Sequence, residues 1–232
     1  MEKVNKYLIV AAGGNGSRTK SIIPKQYLEI SGRPLIVWTM EAFKAFVEIK
    51  NIIVVISKSH IEYWNEIVKY YPEYSNCKIA YAGPTRFHSI KSGLKYIPMN
   101  AYVAVHDAAR PMVSSITIEN CFKTAISRGN SIPVIKVNDS VRQKVGSISK
   151  AINRDELSLV QTPQIFKSEM IIKAYEQTFN ESFTDDASVV ENNGEVIYFS
   201  EGNHENFKIT TSLDLKMANL ILSSSYPSTQ KE

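Results

Sequence analysis

Apolar positions along the chain follow two alternating patterns. Short continuous runs rich in β-branched and aromatic residues occur at Tyr7–Ala12, Asn51–Ile56, Cys77–Tyr81, Tyr102–His106 and Ser131–Ile135. Each reads as a strand. Between them the spacing predicts helices over Leu35–Phe46, His60–Tyr71, Phe87–Tyr96 and Ile116–Ser127. Ile90, Leu94 and Ile97 recur at helical intervals in the third, as do Ile118, Phe122 and Ala125 in the fourth. Strands that are apolar throughout and alternate with helices imply an α/β protein, its parallel sheet covered on both faces.

The alternation stops after Ile135. Lys136–Ala151 is polar, with Gly146 between two β-like pieces, Ser140–Val145 and Ser147–Ile152. This reads as a protruding β-arm at about residues 136–152. An isolated two-stranded arm is marginal in water, so a second copy of the subunit is the expected support; a loose surface insertion is the other reading. The chain returns through Leu157–Thr162, a helix from about Lys167 to Phe179, and a second helix, Asp185–Asn193, with Thr184 expected as its N-cap. A strand at Glu195–Ser200, the segment Asn206–Thr210 and a helix at Ser212–Leu222 close the pattern. No repeat or linker divides residues 1–232, which read as a single domain.

Composition narrows the classes. The 232 residues are 44% hydrophobic and 22% charged, with a net charge of +4. That suits an ordinary globular protein with an anionic small substrate and falls short of a nucleic-acid binder's basic stripe. No run approaches the ~18 apolar residues of a membrane span. Cys77 and Cys121 are far apart and read as buried thiols in a reducing, cytoplasmic compartment.

The candidate chemistry gathers at the ends of predicted strands. After Tyr7–Ala12 come Gly13, Gly14 and Gly16, then Arg18 and Pro24-Lys25-Gln26. A strand that runs into a glycine loop leaves N–H groups free for an anion, and the two cations suit a polyphosphate. The loop is not a Walker motif, lacking Gly-Lys, nor a dinucleotide fingerprint, because Thr19 stands where the third glycine belongs. Gly83–Ser89 and His106–Pro111 also follow strands, so all three loops should share one rim, where α/β sheets bind ligands. Asp107 there is placed to help hold Mg²⁺ on a polyphosphate, or to serve as a turn or capping residue. Ser89 could meet a base or sugar edge, and Arg86 could equally be a surface cation. The histidines are scattered, no zinc spacing occurs, and no Gly-x-Ser-x-Gly elbow is present.

Read together, these segments resemble the 2-C-methyl-D-erythritol 4-phosphate cytidylyltransferase family of the non-mevalonate isoprenoid pathway. The resemblance rests on Ala11-Ala12-Gly13 with Gly16-Ser17-Arg18, Pro24-Lys25-Gln26-Tyr27, Arg86 with Ser89, and Val105–Pro111. It continues through Thr162-Pro163-Gln164, Thr184–Ser188 and Phe207-Lys208-Ile209-Thr210. It implies a Rossmann-like three-layer nucleotidyltransferase fold, a homodimer whose arms embrace the partner, and CTP with Mg²⁺. By position, Arg18, Lys25 and Lys208 resemble the cations on the CTP phosphates, and Ala12, Gly13, Gly14, Gly83 and Ser89 the cytidine pocket. Asp107, Arg110, Thr162 and Thr184 match polyol-phosphate positions, while Ser140 and Arg154 lie where the arm reaches the neighbour's site.

The chain departs from the family pattern at Thr19 (usually methionine), Pro84 (commonly polar), Ser140 (usually threonine) and Asp185-Asp186 (more often Asp-Glu). A similar family, the ribitol-5-phosphate cytidylyltransferases, tends to carry valine at the position of Ala109 and lacks the Thr184-Asp185 pattern. The resemblance therefore favours methylerythritol phosphate as acceptor. A catalytically dead CTP-binding protein is the remote alternative.

Overall fold

The computed structural model describes residues 4–14 and 23–225. Strand β1 (Asn5–Ala12) is followed by a small hairpin, β2 (Glu29–Ile30) and β3 (Arg33–Pro34), and by α1 (Leu35–Glu41). Then come β4 (Ile52–Ile56), α2 (Ile61–Tyr70), β5 (Lys78–Tyr81), α3 (Arg86–Leu94), β6 (Ala101–Asp107), α4 (Ser115–Arg128) and β7 (Asn130–Lys136). The arm is β8 (Val141–Val145) and β9 (Ile148–Ile152), and the chain returns through β10 (Ser158–Val160) and β11 (Gln164–Lys167). It ends with α5 (Ser168–Ala174), α6 (Asp186–Asn192), β12 (Phe199–Glu201) and α7 (Ser212–Ser225).

The main sheet runs β10-β7-β11-β6-β1-β4-β5, with β12 paired to β7. Alternate residues of β1 serve opposite faces, as the pleat requires. Leu8, Val10 and Ala12 pack with residues of α1, α2 and α4. Ile9 packs on the other side with residues of α3, α5 and α6. The result is the expected three-layer α/β fold.

The sheet is not wholly parallel. Strand β1 pairs in parallel with β4 and β6, but β11 lies antiparallel between β6 and β7. The cause is local: a parallel strand needs a crossover of a dozen or more residues. Here the chain comes off the arm, pairs β10 antiparallel to β7, and enters β11 with no helix between. Three other expectations shift. Helix α1 stops at Glu41, α5 stops at Ala174, and α6 is capped by Asp185 instead of Thr184. The Asp185 carboxylate accepts the Ser188 N–H at 2.9 Å and the Ser188 hydroxyl accepts the Asp185 N–H at 3.2 Å, closing a reciprocal cap that leaves Thr184 exposed outside the helix.

Strand register sets the functional rim. Ala11 is opposite Asp107, Ala12 is opposite Ile56, and Ile56 is opposite Tyr81. The loops after β1, β4, β5 and β6 therefore leave the sheet at one level. A third apolar cluster, including Trp38, Ala109, Ile209 and Leu222, seats α7 beside the loop after β6. Ile209 is fully buried there, and its N–H donates to the Ala109 carbonyl at 2.9 Å. Packing of this residue therefore sets where Lys208 stands. Ile209→Ala should cost about 2–5 kcal/mol in urea unfolding, whereas Leu220→Ala, on the exposed face of α7, should stay within about 0.5 kcal/mol.

Candidate active site

The rim loops enclose a cleft of about 590 Å³ whose walls include Ala12, Gly13, Gly14, Lys25, Gly83, Ser89, Asp107 and Lys208. Eight of the sequence-predicted site residues thus meet in one place. Two glycines are required by close approach. A Cβ on Gly13 would lie 2.5 Å from the Ala82 Cβ, and one on Gly83 would lie 2.5 Å from the His88 Cβ. A side chain at Gly13 would push the β1 and β5 loops apart, and one at Gly83 would push its loop off the first turn of α3. Arg18 lies outside the described residues.

Asp107 is the electrostatic centre. Its Oδ2 is 2.9 Å from Lys208 Nζ and 3.4 Å from Arg110 Nε, and its Oδ1 is 3.8 Å from Arg86 Nε. Burial by itself would raise the carboxyl's pKa. The charges of Lys208, Arg86 and Arg110 outweigh it and hold the group well below the usual carboxylate range. Arg86 also makes a two-pronged bond to Asp186, Nη1 to Oδ1 at 2.9 Å and Nη2 to Oδ2 at 2.6 Å. Asp186 is fully buried and takes a further bond from the Tyr175 hydroxyl at 2.6 Å. Arg86 is therefore no surface cation. It ties the cleft to the start of α6, a link that short motifs could not show because its ends are a hundred residues apart.

Cations exceed carboxylates across this region. Among the described residues, Arg86, Arg110 and Lys208 pair with two carboxylates, Asp107 and Asp186, and Lys25 lines the same cleft. Lys25 Nζ donates to the Ile209 carbonyl at 2.9 Å, and Arg110 Nη1 donates to the Asn206 carbonyl at 2.7 Å. The strap from Asn206 to Thr210 is thus pinned across the rim by the same cations that give the cleft its charge. Its far end is held by Asp214, whose Oδ2 accepts the N–H groups of Thr210 and Thr211, each at 2.8 Å.

Some expected contacts are spent inside the protein. The Ser89 hydroxyl accepts the Gly83 N–H at 3.1 Å and donates to the Thr85 carbonyl at 2.8 Å, so it shapes the loop as it lines the cleft. The Thr162 hydroxyl sits behind the rim, accepts the Asp107 N–H at 3.1 Å and is 2.9 Å from His106 Nδ1. His106 Nε2 is 2.9 Å from the Arg110 carbonyl, which can only accept. The proton therefore sits on Nε2, and Nδ1 accepts from Thr162. Thr184, Ser140 and Arg154 are exposed and do not line this cleft. Arg154 instead borders a second cleft, of about 1000 Å³, at the base of the arm, with a guanidinium bond to the Asn138 carbonyl.

A glycine loop at the carboxyl rim, faced by surplus positive charge, marks an α/β protein of the nucleotide-phosphate-handling class. Comparison with known proteins narrows that class to the nucleotidyltransferases. The family model for 2-C-methyl-D-erythritol 4-phosphate cytidylyltransferase matches residues 6–224. The chain belongs to that family. It is 44% identical over 214 residues to the enzyme of that name from Bacteroides fragilis, covering 92% of this chain and 98% of the relative. The one from Phocaeicola vulgatus is 41% identical over 219 residues, covering 94% and 100%. The crystal structure of the Francisella tularensis 2-C-methyl-D-erythritol 4-phosphate cytidylyltransferase superposes with a TM-score of 0.77 at 31% identity, covering 93% of this chain and 99% of that one.

The His106 network has a consequence for acid stability. Burial lowers the imidazole's pKa to about 4, below the value near 6.5 of an unfolded chain. Between those values the unfolded state binds a proton that the folded state refuses, so stability falls as pH falls through that window. Urea midpoints measured from pH 7 to pH 4 should decline for the wild type. For His106→Gln the decline should be shallower.

Proposed function

We propose that the chain, acting as one domain, transfers CMP from CTP to 2-C-methyl-D-erythritol 4-phosphate, giving CDP-methylerythritol and pyrophosphate. The observation that supports this best is the meeting of Lys25, Lys208 and Asp107 with the glycine loop in one cleft, in a chain of this family. An oxygen of the acceptor phosphate attacks the α-phosphorus of CTP, and the bond to the bridging α–β oxygen breaks. The attacking group is already an anion, so positioning and charge neutralisation carry the reaction. Lys25, with Arg18, draws charge toward the leaving pyrophosphate, and Lys208 faces the α-phosphate. Arg110 and Asp107 orient the acceptor beside them. Ala12 to Gly14 and Gly83 offer backbone edges sized for a pyrimidine.

Mg²⁺ would enter this site as a passenger on the nucleotide. Among the described residues no three His, Cys, Asp or Glu side chains converge on a metal position. Asp107 would supply one carboxylate, with triphosphate oxygens and water completing the shell, as Mg²⁺ commonly arranges. The ion would neutralise triphosphate charge. The two cysteines are buried and unpaired, which supports a reducing cytoplasm. No helix among the described residues is long and apolar enough to cross a membrane.

We also propose a homodimer with shared sites. The arm β8–β9 forms its own two-stranded sheet and leaves Val145 50% and Ile148 71% exposed. Apolar residues near its base, Leu159 and Phe199, are likewise open. A partner subunit would cover them, and Ser140 and Arg154 would then act in the neighbour's cleft.

The first test is pyrophosphate release from CTP, with methylerythritol phosphate and ribitol phosphate as acceptors side by side. Methylerythritol phosphate should be strongly preferred; preference for ribitol phosphate overturns the acceptor assignment. Lys25→Ala should fold normally and lose roughly 10²-fold or more in kcat, the scale for one preorganised charge donor.

A second test addresses the arm. Arg154→Ala should raise KM for the acceptor phosphate far more than for CTP. Mixing inactive Lys25→Ala and Arg154→Ala homodimers should restore activity toward half of wild type per heterodimer, because one site collects both defects and the other none. A mixture that stays dead after confirmed subunit exchange shows that the arm acts within its own chain.

A further inference from the structure

Gln26 sits beside Lys25 in a short 3-10 turn and is 2% exposed. Its Nε2 donates to the Ala12 carbonyl at 2.7 Å and to the Gly14 carbonyl at 3.0 Å, the two carbonyls that flank Gly13. His60 Nδ1 lies 3.4 Å away on the third side. His60 is itself buried, and its ring packs against an amide nitrogen whose two hydrogens the carbonyls take up.

We infer that Gln26 is a positioning residue for the nucleotide: its carboxamide holds the glycine loop and the Lys25 turn at fixed separation and turns the Gly13 N–H toward the bound nucleotide. The argument is geometric. In a trans peptide the N–H points opposite the C=O. Drawing the Ala12 carbonyl toward Gln26 therefore turns the Gly13 amide away from it. Both acceptors are carbonyls, so only a side chain with two hydrogens on one atom can serve them together, and a primary amide has those. The same side chain leaves the turn that carries Lys25, so loop and cation move as one body. This inference rests on the cytidylyltransferase reading.

The effect should fall on CTP and not on the acceptor. Gln26→Met keeps the length of the side chain and removes both donors. CTP affinity, titrated without acceptor, should weaken about tenfold or more, as should KM for CTP. KM for methylerythritol phosphate should stay within about twofold, and the thermal midpoint within a few degrees. Gln26→Asn, one methylene short, keeps the site polar and reaches at most one carbonyl. It should show the same CTP-specific loss, and it carries the test if Gln26→Met does not fold. Wild-type CTP affinity in a folded variant overturns the inference, as does equal weakening of both substrates. If the wild type itself neither binds CTP nor releases pyrophosphate, the functional reading fails first and the inference falls with it.

Discussion

The cleft depends on one buried carboxylate among cations. Asp107 stands at the end of β6 with Lys208, Arg110 and Arg86 around it. A lone carboxylate at that depth would be costly, and so would three clustered cations without it. Each side of the arrangement makes the other tolerable. The balance is not neutral, because Arg86 is shared with Asp186 and Lys25 adds a further charge beside the strap. That surplus is what a triphosphate can answer.

Around this centre the protein uses backbone to place side chains. Lys208 is held between the Ile209 N–H, which donates to the Ala109 carbonyl, and a strap that Arg110 and Lys25 pin through carbonyls. The acid loop is held from behind by the Thr162 hydroxyl and a neutral His106. These bonds fix the distances on which electrostatic catalysis relies. Rigid support of this kind suits a reaction whose nucleophile arrives already charged.

Much of the architecture was legible in the chain. Continuous apolar strands and helical spacing pointed to the sheet and both helical layers, because burial on two faces leaves little freedom in residue type. The arm was legible as a polar excursion, and the described hairpin closes through Gly146-Ser147 between β8 and β9. Strand β11 was not legible. Four residues after Pro163 carry no periodicity that separates strand from loop, and their antiparallel place comes from where β10 delivers the chain. The N-cap of α6 was misplaced by one residue, because Thr184 and Asp185 are both good caps and only backbone geometry chooses between them.

The sequence by itself determined which residue types stand at the ends of which strands: glycines after β1, an acid and an arginine after β6, lysines in two distant short motifs. Those follow from local chemistry and strand order, and the family resemblance rests on them. Only the tertiary structure decided how they are shared. Arg86 binds an aspartate a hundred residues away, the Thr162 hydroxyl serves the Asp107 backbone, and Gln26 braces the loop before it. Ser140 and Arg154 are set apart from their own chain's cleft. The reason is physical: a hydrogen bond or ion pair depends on distances of a few ångströms between atoms, and across long separations in sequence those distances exist only once the layers have packed.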